Sequence, residues 1–70
     1  MTWQQAEEGR RRLDQVGVSC KVLSSAVCGW FLTFEDLDGE RISATRFVEV
    51  EYAVSVFGRV AQARAEAGNG

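Results

Sequence analysis

The two cysteines are the first side chains to consider for chemistry. The sequence contains no histidine that could act as a base for them near neutral pH. A nucleophilic cysteine needs such a base, and two cysteines cannot supply the four ligands of a structural zinc site. A turn at Leu23–Ser25 would place Cys20 opposite Cys28, close enough for a disulfide. Without a secretory signal pattern, however, we expect a cytoplasmic protein with both thiols reduced.

The carboxylates occur in two clusters, each with an ordinary structural explanation. Three acidic side chains surround a glycine in Asp36–Glu40, but the further oxygen ligands of an EF-hand are missing, and Asp-Gly is a typical hairpin signal. The second pair, Glu49 and Glu51, is two residues apart, so on a helix the two carboxylates point in different directions. We therefore expect no enzymatic activity, no metal and no cofactor.

A run of three arginines, Arg10–Arg12, is the only concentrated positive charge in the sequence. Paired copies of this segment could contact phosphates, so a small dimeric nucleic-acid-binding regulator is the alternative function. Glu7 and Glu8 precede the run at helical spacing, and the whole chain has a net charge of −2. A solvated, salt-bridged helix face is therefore the favoured interpretation, and nucleic-acid binding is not expected.

End signals delimit an N-terminal helix. Thr2 and Gln5 match a capping box, and Gly17 provides a left-handed stop. Alternating apolar residues then predict two antiparallel strands within Val18–Phe34, and a short edge strand follows at residues 40–43. The face of the sheet that both helices should cover carries Cys20, Val22, Cys28, Trp30, Leu32 and Phe34, with Trp30 buried.

The last third of the chain, Ala44–Ala67, is predicted to be one long helix. Valines also alternate within residues 46–57, so a strand there stays open as an alternative. A glycine inside this helix, Gly58, costs helix propensity and suggests the close approach of another backbone. The element order predicts a single α+β domain over residues 1–70: helix, two or three antiparallel strands, then a long helix, with residues 68–70 a frayed tail.

Apolar side chains cover an arc of about 180° on this helix, whereas a surface helix usually buries ~100°. A 70-residue domain has little surface with which to cover such a face, so we expect a homodimer. The predicted dimer seam follows helical spacing and consists of Phe47, Val50, Val54, Phe57 and Ala61.

A neighbouring strip of the same helix combines an aromatic, apolar side chains and an arginine, the composition of a protein interface. We predict that it binds a partner through Val48, Tyr52, Val56 and Arg59. The chain is accordingly expected to be a small non-enzymatic module that binds a larger host protein stoichiometrically and inhibits or redirects it. Proteins of this size and kind are frequent among phage and mobile-element accessory proteins. No apolar run reaches membrane-spanning length, so no membrane partner is expected.

Overall fold

The chain folds as two helices and a three-stranded antiparallel sheet. The computed structural model describes residues 1–68 and has the element order α1 (Trp3–Gln15), β1 (Lys21–Ser25), β2 (Gly29–Glu35), β3 (Arg41–Ala44) and α2 (Phe47–Gly68). The strands lie in the order β1-β2-β3. This arrangement confirms the predicted α+β class and element order, with the short third strand present. Neither helix within residues 1–68 is both long enough and apolar enough to cross a bilayer.

Helix α1 begins and ends where its signals predict. The Thr2 hydroxyl accepts a hydrogen bond from the Gln5 amide at 3.1 Å, and the Gln5 side chain accepts one from the Thr2 amide at 3.1 Å. At the other end Gly17 has a φ of 84°, and the Val18 amide donates to the Leu13 carbonyl at 2.9 Å. Two sets of helix-terminal backbone groups are thereby satisfied, so α1 is a well-defined element against which the sheet packs.

The acidic segment Asp36–Glu40 is the predicted hairpin turn between β2 and β3. The Asp36 carboxylate accepts from the amides of Asp38 at 2.9 Å and Glu40 at 2.8 Å. Gly39 has a φ of 84°, a value that glycine adopts without steric cost. The carboxylate of Asp36 is therefore used inside the turn, in keeping with the structural explanation of this cluster.

The first hairpin differs from the sequence prediction. Ser25 pairs with Gly29, so the turn lies at residues 26–28 and not at Leu23–Ser25. Gly29 has a φ of 72° and supplies the positive φ that the chain reversal needs, which places the turn three residues later. Cys28 is exposed in this turn, whereas Cys20 lies directly before Lys21, at the end of β1 that is remote from the turn. Five strand residues at ~3.4 Å each put roughly 17 Å between them, so the disulfide alternative is wrong.

The long C-terminal segment is a helix, which confirms the preferred interpretation and rules out a strand at residues 46–57. Helix α2 begins at Phe47, three residues later than predicted, because Ala44 pairs with Leu32 in β3 and is buried there. It includes Gly68, the first residue of the predicted frayed tail; residues 69 and 70 lie outside the described part of the chain. Residues 61–68 are all exposed, so the last turns of α2 project beyond the packed body.

The core lies between the two helices and one face of the sheet. Its largest fully buried side chains are Leu13, Leu32 and Val50, one from each of α1, β2 and α2. Trp30 lies on the predicted core face but is only partly buried, because it is at the rim and packs edge-on against Trp3 with ring centroids 4.6 Å apart. The expectation of a buried Trp30 is therefore met in part.

Two helical glycines have opposite packing environments. A Cβ on Gly9 would lie 2.9 Å from Leu32 Cδ1 and 2.9 Å from Val50 Cγ1, closer than packed atoms tolerate. A Cβ on Gly58 would meet only Val16 Cγ1 at 3.7 Å, an ordinary van der Waals contact. The close approach predicted at Gly58 occurs instead at Gly9, where α1 meets β2 and α2.

These environments predict opposite effects of the same substitution. Gly9→Ala should lower the free energy of unfolding by about 1–2 kcal/mol, because overpacking outweighs the gain in helix propensity. Gly58→Ala should raise it by up to about 1 kcal/mol, because only the propensity term changes. Urea unfolding followed by tryptophan fluorescence measures both variants. A Gly9→Ala protein as stable as Gly58→Ala would contradict the packing described here.

Candidate protein-binding groove

A groove between α2, β3 and the preceding turn is lined mostly by apolar side chains, and we call it the α2–β3 groove. Leu37, Ile42, Val48 and Tyr52 line it with exposed fractions of 51%, 37%, 61% and 74%. Within residues 1–68 these are four of the seven large hydrophobic side chains classed as exposed. Single exposed apolar residues are common, but their concentration in one groove makes it the candidate interaction surface.

The position of α2 on the sheet explains why these side chains are exposed. Ile42 and Ala44 lie on the same face of β3, because side chains two residues apart on a strand point the same way. Ala44 is 1% exposed and belongs to the core, whereas Ile42 is 37% exposed. Val48 and Tyr52 lie four residues apart on one side of α2, while Val50 faces the core. The groove is therefore the part of the helix–sheet junction that the fold leaves open.

Hydrogen bonds to Glu49 hold the first turn of α2, which carries this surface. The Glu49 carboxylate accepts from the backbone amides of Arg46 at 2.9 Å and Thr45 at 3.1 Å, and from the Thr45 hydroxyl at 3.3 Å. These donors, the Arg46 amide foremost, lower the pKa of Glu49 below its ordinary value. A carboxylate at this position also interacts favourably with the N-terminal end of the helix dipole.

The N-terminal residue reinforces the same junction. The Met1 ammonium donates to the carbonyls of Trp30 at 3.0 Å and Thr45 at 3.2 Å. These bonds join the start of α1 to β2 and to the connection that enters α2. The connection that precedes Val48 and Tyr52 is therefore held by a hydrogen bond from outside α2.

The predicted partner-binding strip divides into groove and non-groove residues. Val48, Tyr52 and half-buried Val56 line the α2–β3 groove, as does Phe57 from deeper in the helix. Arg59 is exposed on α2 but does not line it.

Two groove residues, Leu37 and Ile42, were not singled out from the sequence. Leu37 carried a usable signal, because an apolar residue inside an acidic turn has no folding role.

The predicted dimer seam is largely used inside the monomer. Val50 has no exposed surface and contacts the α1–β2 junction, so an interface cannot be centred on it. Phe57 packs edge-on against Phe34, with ring centroids 6.2 Å apart. The guanidinium of Arg12 lies over the ring of Phe47, with Cζ 5.3 Å from the ring centroid.

The two other seam residues differ from each other. Val54 packs partly buried against the core, and Ala61 is exposed on the projecting part of α2. Dimerisation itself stays a prediction, but these five residues do not form a continuous free surface along α2.

The arginine run is engaged in ion pairs along α1. Arg10 lies 3.4 Å from Glu7, Arg11 contacts Glu8, and Arg12 Nε lies 3.1 Å from the same Glu8 carboxylate. Such exposed pairs contribute little to stability, but they reduce the positive charge that this face presents. The geometry agrees with the salt-bridged interpretation of Arg10–Arg12 and gives no separate support to phosphate binding.

Cys20 lines a second groove, formed by the connection between α1 and β1, the end of β2 and the C-terminal half of α2. Burial raises the pKa of the Cys20 thiol above its ordinary value, and the charge of Arg10 only partly opposes this effect. A raised pKa leaves less thiolate at neutral pH, which is the opposite of what a nucleophilic cysteine requires.

No protein-family model matches the chain, and no curated protein or solved structure shows significant similarity to it. The geometry of the molecule is therefore the basis for assigning a function.

The hydrogen bonds of Glu49 predict a pH-dependent contribution to stability. Because its pKa is lowered in the folded state, the contribution is complete above the ordinary glutamate pKa of about 4.3 and is lost as the pH falls through the lowered value. Glu49→Gln should therefore destabilise the protein at neutral pH, and the difference from the unsubstituted protein should shrink in acid.

Thermal unfolding across a pH series measures this difference. Glu51→Gln is the matched control, because Glu51 is an exposed carboxylate two residues further along the same helix. A Glu49→Gln effect that did not change with pH would show that the charge of Glu49 is not what stabilises the start of α2.

Proposed function

We propose that the protein is a small non-enzymatic binding module that binds a larger protein stoichiometrically through the α2–β3 groove. The observation that carries this proposal is the concentration of Leu37, Ile42, Val48 and Tyr52 in one groove of a small domain. Exposed apolar surface of this kind has a hydration cost that association with a partner removes. The proposal needs no catalytic group and rests on the surface alone.

Tyr52 is the expected centre of the interaction. Its side chain is 74% exposed and lies in the groove between Val48 and Val56, one helical turn away on either side. Tyrosine offers a large, rigid apolar area together with a hydroxyl that can hydrogen-bond, and tyrosines are enriched among the residues that dominate binding energy. Charged groups border the apolar area, with Asp36 and Asp38 at the turn and Arg46 before α2. A polar rim around an apolar centre is the usual anatomy of a protein interface.

A module of this type would act by occupancy: it covers a surface of its target and thereby inhibits or redirects it. We propose a larger host protein as the target and a phage or mobile-element accessory protein as the class, on the basis of a small domain with an exposed apolar groove. Binding through an apolar groove should depend only weakly on salt. A steep fall of affinity with salt would instead indicate phosphate contacts by Arg10–Arg12 and thus the nucleic-acid alternative.

Alanine substitution in the groove tests the proposal once a target has been captured from a lysate of the organism that carries the gene. Tyr52→Ala should weaken binding by about 2 kcal/mol, roughly thirtyfold, because it removes the largest exposed side chain of the groove. Val48→Ala should have a smaller effect in the same direction. Isothermal titration calorimetry with the purified target measures both, and the thermal stability of each variant should stay close to that of the unsubstituted protein.

Val27→Ala is the matched control, because Val27 is 93% exposed in the β1–β2 turn, outside the groove. It should bind the target as the unsubstituted protein does. Equal losses for Val27→Ala and Tyr52→Ala, or full affinity of Tyr52→Ala, would place the binding surface elsewhere. Arg59→Glu tests whether the target also contacts the part of the predicted strip outside the groove, since Arg59 is not among the residues that line the groove.

A further inference from the structure

The outer edge of β3 adjoins the α2–β3 groove. The strand order β1-β2-β3 puts β3 at one edge of the sheet, with its outer side unpaired among residues 1–68. An edge strand presents backbone N–H and C=O groups that match another extended chain. We propose that β3 pairs antiparallel with β3 of a second copy of this chain, forming a continuous six-stranded sheet centred on Ile42.

The backbone pattern determines which residues of β3 offer their groups to a second chain. The Asp36 amide donates to the Glu40 carbonyl at 2.8 Å, so Asp36 and Glu40 form a hydrogen-bonded pair of the antiparallel ladder. Such pairs alternate along an antiparallel ladder, and the same register continues through β3. The even-numbered residues of β3 therefore direct their backbone groups toward β2, while Arg41 and Ser43 direct theirs outward.

One register uses both outward-facing residues. In a two-fold arrangement centred on Ile42, Arg41 of each copy lies opposite Ser43 of the other, and each pair can exchange two backbone hydrogen bonds. Ile42 then faces Ile42 of the second copy as a non-hydrogen-bonded pair, the closer of the two pair types. Ile42, which is 37% exposed in the monomer, would there contact its own symmetry mate.

Charge complementarity supports a second copy as the occupant. The chain before β3 is acidic, with Asp38 and Glu40, whereas the chain after it carries Arg46. The Arg46 side chain is 76% exposed and forms a long ion pair with Glu49, with Nε 3.9 Å from the carboxylate. Antiparallel pairing brings the acidic end of one β3 toward the basic end of the other, twice in each dimer. Parallel addition would place like charges side by side, so these charges favour antiparallel pairing, in which Arg41 lies opposite the uncharged Ser43.

This dimer differs from a helix seam and is independent of the proposed target. It leaves Val50 in the core, where the structure has it, and of the exposed groove residues it covers Ile42, while Val48 and Tyr52 stay exposed for the target. Both grooves would border the same two-fold axis, so a dimer would present Val48 and Tyr52 in duplicate on one side of the sheet. An oligomeric target would then gain from two linked contacts.

Cysteine cross-linking distinguishes the β3 edge from the helix seam. In a Cys20→Ala, Cys28→Ser background, Ile42→Cys should form an intermolecular disulfide under mild oxidation, because a non-hydrogen-bonded pair has Cα atoms ~4.5 Å apart. Ala61→Cys, at the exposed end of the predicted helix seam, is the matched control and should stay reduced and monomeric on a non-reducing gel. Cross-linking of Ala61→Cys without Ile42→Cys would overturn the proposal.

Sedimentation of the purified chain at micromolar concentration provides the second arm. The unsubstituted protein should sediment at twice the chain mass, and Ile42→Lys should sediment at the chain mass, because a charge on the paired face blocks an edge. Val27→Lys, an equal charge change on an exposed turn, should remain dimeric. A monomeric unsubstituted protein would overturn the dimer without touching target binding, since the calorimetric test of Tyr52 reads the target directly.

Discussion

Three elements meet at Gly9, where the absence of a side chain lets Leu32 of β2 and Val50 of α2 reach the backbone of α1. Leu32 and Val50 are both fully buried there. A helix with a larger residue at this position would stand further from the sheet and from α2, and both side chains would lose packing contacts. Much of the stability of so small a core therefore depends on this one close approach.

The same contact determines which apolar side chains of α2 remain exposed. Because Val50 and Ala53 are committed to the core, and Phe57 packs on Phe34, the inner side of α2 is already covered by its own chain. The wide apolar arc that suggested a helix seam is thus divided. One part of the arc is core, and another, with Val56, lines the open groove together with Val48 from the neighbouring strip.

The groove and the β3 edge can be understood as consequences of a small sheet. With only three strands and two helices, the domain covers Ala44 but not Ile42, although both lie on the same face of β3. Apolar side chains at that boundary gain little from folding alone, and association would bury them. The projecting turns of α2 beyond residue 60 are likewise outside the packed body.

The sequence by itself determined most of the secondary structure, because the signals are local. Thr2 and Gln5 cap α1, Gly17 ends it, and Asp38-Gly39 turns the second hairpin through contacts within a few residues. The alanines that flank residues 46–57 and the helical pattern of residues 60–67 favoured a helix over the strand alternative, and α2 is a helix. Of the candidate groove, Val48, Tyr52 and Val56 could be named in advance, because their positions on one helix follow from spacing alone.

Only the tertiary structure decided which apolar residues are buried inside the monomer. Spacing cannot tell whether Val50 meets its own sheet or a second chain; that depends on how closely α1 approaches, and hence on Gly9. The same holds for Ile42 and Leu37, which join α2 in one groove only because the β2–β3 hairpin folds beside it. The strand register that separates Cys20 from Cys28 depends on where Gly29 reverses the chain. Local patterns specify elements, whereas long-range packing chooses the surface that stays free.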